Sequence, residues 1–230
     1  MQGLLEDKYV AGLWEKDLLR QLLWIMRTET LDSLDVPLKQ APSWSWAAIN
    51  SPVRWLDIDD GENLAEIIDY KVIPIGNSEY GQIRGGYIRI RGMLTRATFA
   101  DDVEDDLASQ VTGTPMRLPE GTFLELGFRW DGIASSDNLN PERSRSSYLQ
   151  GIIGSSSVWV LPMCDNLAGR TWLGLVLVKS GSGKRGEYRR VGWFVTPQKA
   201  ALATLKGHVP SLKAEEYESV GEGGYTISII

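Results

Sequence analysis

Short runs of alternating apolar and polar residues, each closed by turn-forming residues, recur along this chain at hairpin spacings. The clearest is Gly86-Tyr87-Ile88-Arg89-Ile90-Arg91-Gly92. A period of two places Ile88 and Ile90 on one face of a strand, with Tyr87, Arg89 and Arg91 on the other. Ile67 to Ile75, Leu94 to Phe99, Phe123 to Trp130, Tyr148 to Ile153 and Val158 to Met163 read as further strands. So do Thr171 to Val178, Glu187 to Val195 and Tyr225 to Ile230, with Ser180-Gly181-Ser182-Gly183 as a hairpin turn. Trp44 and Trp46, two apart, predict one strand face. Pro52 to Leu56 reads as the return arm of a hairpin turning at Asn50-Ser51. About nine or ten strands without a βαβ rhythm predict a mainly β fold, an antiparallel sandwich or distorted barrel. Asp101 to Pro119 and Ile133 to Ser147 read as long loops.

Two helices are expected beside the strands. Trp14, Leu18, Leu22 and Ile25 recur at helical spacing, and Leu19, Leu23 and Met26 form an adjacent row. This predicts an amphipathic N-terminal helix over 13–26 with a wide apolar arc. Pro197 to Leu205 reads as a short helix with proline at its first position. The expected organisation is an N-terminal helical segment and loop, 1–40, packing on a β-rich domain, 41–230, as one domain overall. So wide an arc predicts that part of the row Leu19, Leu23 and Met26, or the stretch Leu4 to Val10, stays exposed and favours association.

Charge and cysteine usage narrow the partners. A formal charge of −6 argues against nucleic acid, whose binders are usually basic. The single cysteine, Cys164, cannot form an intrachain disulfide, which points to a reducing, cytoplasmic setting. No stretch approaches the roughly 18 apolar residues of a membrane span, so no membrane partner is expected. Nine tryptophans supply large rigid anchors for a core or a surface.

Gly12-Leu13-Trp14-Glu15-Lys16-Asp17-Leu18-Leu19-Arg20-Gln21-Leu22-Leu23-Trp24, followed by Ala41-Pro42-Ser43-Trp44-Ser45-Trp46-Ala47, resembles the segment just downstream of the HET domain in fungal heterokaryon-incompatibility proteins. Gly86 to Gly92, Trp159-Val160-Leu161-Pro162, Gly174 to Leu177 and Gly186-Glu187-Tyr188-Arg189-Arg190-Val191-Gly192-Trp193-Phe194 are similar to later pieces of the same region, in the same order. The resemblance implies allorecognition and programmed cell death as the setting. It marks Gly12, Leu13, Trp14, Asp17, Arg20, Gln21, Leu22, Trp24, Pro42, Ser43, Trp44, Ser45, Trp46, Gly186, Glu187, Arg189, Arg190 and Gly192 as signature residues, mostly structural. The blocks of the HET domain have no counterpart in this chain. That domain is thought to resemble TIR domains, and nucleotide cleavage or cell death would belong to it. The expectation is a chain whose HET domain is missing in cis or supplied in trans, as a fragment, a truncated product or a stand-alone copy.

Candidate chemical sites are weak. Gly181-Ser182-Gly183-Lys184 lacks the first glycine and the final Ser/Thr of a phosphate loop, where Val178 and Arg185 stand. Asp57, Asp59 and Asp60 bring Gly61 one position early for a calcium loop. Asp101, Asp102, Glu104, Asp105 and Asp106 read as a charged loop. Nothing places Cys164 beside His208, the only histidine, so neither a dyad nor a transition-metal site is expected. Arg84, Arg89, Arg91, Arg96, Lys184, Arg185, Arg189 and Arg190 read either as a solvated strand face or as a basic face for phosphate or an acidic segment. Arg89, Arg91, Arg189 and Arg190 are the candidate ligand or partner contacts. Trp44 and Trp46 read as core, with a ligand platform as the alternative. The expected function is a non-catalytic regulatory or recognition module without cofactor or catalytic residues. The alternatives are a small-ligand or nucleotide-sensing β domain, and a hydrolase with an unrecognised carboxylate site.

Overall fold

A computed structural model describes residues 7–26, 41–49, 51–56, 58, 61–76, 78, 80–99, 114–119, 123–131, 157–166, 171–196, 205 and 212–230. The N-terminal segment carries β1 (Tyr9–Val10), β2 (Leu13–Trp14), α1 (Leu18–Gln21) and β3 (Trp24–Met26). Then follow β4 (Val53–Trp55), β5 (Ala65–Pro74), β6 (Ile83–Gly92), β7 (Thr95–Phe99), β8 (Thr114–Arg117) and β9 (Phe123–Trp130). The rest is β10 (Ser157–Asn166), β11 (Thr171–Lys179), β12 (Glu187–Val195), β13 (Ser219–Gly221) and β14 (Gly224–Ile229). The fold is mainly β and sandwich-like, built on a ten-stranded sheet.

Its ladders β10–β11, β11–β12, β12–β9, β9–β8, β8–β7 and β7–β10 follow one another in a ring. The ring joins through β9, whose first half pairs with β8 and second half with β12. A second layer, β5–β6–β14, is attached where β14 meets β12. That last junction is parallel, so the sheet is mixed rather than wholly antiparallel.

Alternation explains why β10 and β11 are buried on both faces. Val158 and Val160 of β10 and Trp172, Val176 and Val178 of β11 enter one apolar cluster. Trp159, Leu161 and Met163 of β10 and Leu173, Leu175 and Leu177 of β11 enter the other, with Ile88, Ile90, Ile227 and Ile229. At Gly174 a Cβ would lie 2.4 Å from the Leu161 carbonyl and 2.4 Å from the Phe194 ring, so only glycine fits.

The helix expected over 13–26 shrinks to a 3-10 turn, Glu15–Asp17, and one α turn, α1. The reason is burial without a solvent face. Leu22, Leu23, Trp24 and Ile25 are consecutive and all buried. A helix would spread four such residues over about 300° of its circumference. An extended β3 instead pairs Trp24 with Trp55, so β4 returns on β3 rather than on the Trp44 segment. Trp44 and Trp46 are not in a strand. Trp46 opens a 3-10 turn, Trp46–Ala48, capped by the Ser45 side chain. Leu19 and Leu23 are core residues, so these two do not form the exposed row; Met26 is half-buried, Val10 is fully buried, and Leu4 to Glu6 lie outside the described residues.

β6 ends at Gly92, and β7 joins the ring instead. Thr114–Arg117 is a strand inside the stretch expected as loop. Tyr148 to Ile153, most of Pro197 to Leu205, and His208 lie outside the described residues. Among the described residues, no helix is long and apolar enough to cross a membrane.

Candidate functional site

The two stretches that carry the family resemblance meet. The β1–β2 turn places Gly12 at φ +98° against the Trp46 indole. Trp46 Nε1 donates to the Gly12 carbonyl at 2.8 Å, and Ser45 Oγ donates to the Ala11 carbonyl at 2.7 Å. Trp24 Nε1 donates to the Trp44 carbonyl at 3.0 Å, with both rings fully buried. Gln21 Oε1 accepts from Trp14 N at 2.8 Å, and Arg20 Nη2 donates to the Gly61 carbonyl at 2.7 Å. Leu13, Leu22 and Pro42 are buried, and Asp17 is exposed ahead of α1.

The third signature segment closes this joint from β12. Arg190 places its guanidinium 3.5 Å from the Trp24 ring centroid. It forks onto Asp131 at 2.6 and 3.1 Å and donates to the carbonyls of Leu22 and Trp24. Its backbone N–H donates to Ser43 Oγ at 2.9 Å, and Ser43 N donates to the Ile230 carbonyl at 3.0 Å. Burial pushes the Asp131 carboxyl up and the Arg190 guanidinium down, and their mutual attraction opposes both shifts. A charge this deep persists because its donors are almost all used.

The expected contact arginines have separate roles. Arg89 pairs with Glu218 at 2.8 Å, and Arg91 lies 3.5 Å from Glu66. Arg189 is exposed on β12. Arg190 is buried, which removes it from any exposed basic face. Sequence reasoning missed its staple role. The signal was its parity with Tyr188, Gly192 and Phe194, the inward residues of β12, because a charge on an inward face demands a buried partner. Gly186 turns at φ +65°, and a Cβ there would meet Glu218 N at 2.6 Å. Gly192 is buried between Val176 and Trp130 in the ladders.

The Gly181–Lys184 turn holds an anion from its own chain. Ser180 Oγ donates to Glu187 Oε1 at 2.9 Å, and Lys184 Nζ lies 3.3 Å from Oε2. A shallow cleft of about 260 Å³ lies between α1 and β5, lined by Glu15, Lys16, Asp17, Arg20, Ile67 and Tyr70 among others. It falls below the roughly 300 Å³ at which ligand pockets begin. Among the described residues, no group of three His, Cys, Asp or Glu side chains is placed to hold a metal ion. Cys164 is buried, and burial pushes its thiol up to about 11. The arrangement joins segments through side-chain donors and backbone carbonyls.

Compared with protein-family models, curated proteins and solved structures, the chain shows no match.

Proposed function

We propose that this chain is a non-catalytic recognition or regulatory module of a HET-type protein, acting in fungal heterokaryon incompatibility from the cytoplasm. Its partner on this reading is a HET domain, in cis or in trans. One observation carries it. Trp24, Ser45, Trp46 and Arg190, which bear the resemblance, turn side-chain donors to the backbone carbonyls of Trp44, Ala11, Gly12 and Trp24 respectively. A signature spent on internal joints is what a scaffold module needs, whereas an enzyme signature points side chains at a substrate.

The test is co-expression of this chain with a HET domain, followed by affinity capture and an assay of NAD consumption by each purified part. Capture of the HET domain, with any NAD turnover confined to it, is the expected result. NAD turnover by this chain alone, abolished by a point change within it, would overturn the reading.

A further inference from the structure

We propose that two copies of this chain pair through the outer edge of β5, antiparallel, about a twofold axis at Tyr70. This stands independently of the recognition role above. β5 ends the ten-stranded sheet and, among the described residues, pairs only with β6. A strand edge of this length offers a row of backbone donors and acceptors to another strand. Its hairpin with β6 also carries Ile73, Ile75 and Tyr80, three of the five large apolar side chains exposed on the described surface.

The occupant follows from register. Asp69 and Lys71 are exposed on one face of β5, while Tyr70 and Val72 are half-buried on the other. A twofold pairing must place like faces opposite each other, so only registers centred on a residue preserve the pleat. Centring on Tyr70 sets Asp69 opposite Lys71 on both sides of the axis. Centring on Asp69 sets that carboxylate against itself, and centring on Lys71 does the same with the ammonium. Like charges directly opposite are destabilising and opposite charges favourable. Of these three registers, only the one centred on Tyr70 is self-complementary. Tyr87 Oη donates to Asp69 Oδ2 at 3.0 Å and keeps that carboxylate on the exposed face. The bulge between Ile67 and Asp69 bends the strand and limits the pairing to its central residues. Backbone ladders of this kind join two sheets into one across the axis.

Sedimentation of the full chain over a concentration series tests the proposal. The wild type is expected to sediment as a dimer at the upper concentrations. Asp69→Lys or Lys71→Asp alone sets like charges opposite twice and should raise the dimer dissociation constant about tenfold or more. Asp69→Lys combined with Lys71→Asp should restore it. Urea midpoints of the three variants control for folding. A wild-type monomer throughout would overturn the proposal. So would a dimer indifferent to the single changes, or a combined variant that stays as weak as the single ones.

Discussion

Arg190 and Trp24 are stacked at 3.5 Å, although 166 positions separate them. The pair welds the apolar N-terminal segment to β12, with Asp131 at the end of β9 as the counter-ion. The aromatic face, two carbonyls and the carboxylate together replace the water that the guanidinium gave up.

Replacing Arg190 with Met strands the Asp131 carboxylate in a dry site. The expected cost is about 3–5 kcal/mol in urea unfolding. Adding Asp131→Leu removes the stranded charge and should recover a large part of the loss. A cost under about 1 kcal/mol for Arg190→Met would show that the joint is held elsewhere.

The turn at Ala11-Gly12 makes two opposite predictions. Both residues have positive φ, +48° and +98°. A Cβ at Gly12 would also lie 2.6 Å from Trp46 Nε1. Gly12→Ala should destabilise by about 2 kcal/mol or more, combining strain with the clash. Ala11→Gly relieves left-handed strain and should raise stability by up to about 1 kcal/mol. Thermal midpoints that move in the same direction for both changes would contradict this account.

Glu187 sets part of the acid limb of stability. Burial raises its pKa, but hydrogen bonds from Ser182, Ser180 and Lys184 outweigh burial and the net shift is downward. A carboxylate with a lowered folded pKa stabilises above the unfolded value, about 4.3, and loses that contribution as pH falls through the folded value. The stability gap between wild type and Glu187→Gln should therefore be largest near neutral pH and shrink below about pH 4. A gap that stays constant from pH 7 to pH 3 would rule out this role for the loop.

Cys164 should be inert in the folded protein. Burial is the main cause of its rise to about 11, with Asp165 adding to it and Arg20 opposing it. The thiolate fraction at pH 8 is then roughly a hundredfold below that of an ordinary cysteine. Alkylation by iodoacetamide should be slower than in the unfolded chain by at least that factor. Equal rates in native buffer and in urea would refute the burial.

Strands were legible where one face is wetter than the other. Ile88 and Ile90 are fully buried while Arg89 and Arg91 are half-exposed, as their alternation predicts. The N-terminal segment was not legible, because periodicity reports the contrast between two faces and Leu22 to Ile25 have none. Trp44 and Trp46 satisfied a spacing of two, yet the Ser45 cap and the turn after Pro42 decided their backbone. The partners of Arg190 come from residues 22, 24, 43 and 131, which no local window can connect. The proposed edge register of β5 rests on Asp69, Tyr70 and Lys71, and it depends on β5 ending the sheet.

The distance along the chain between Trp24 and Arg190 also sets a timetable on the ribosome. Leu18 to Ile25 are translated before their cap, since the cation that covers Trp24 is made 166 positions later. At about 5–20 residues per second, that interval is roughly ten to thirty seconds. Throughout it the newborn chain carries a leucine-rich stretch without the Arg190 cap. A chaperone that holds such stretches should be found on the nascent chain before residue 190 is translated and should leave afterwards. Ribosome-selective profiling of chaperone occupancy would read that schedule directly.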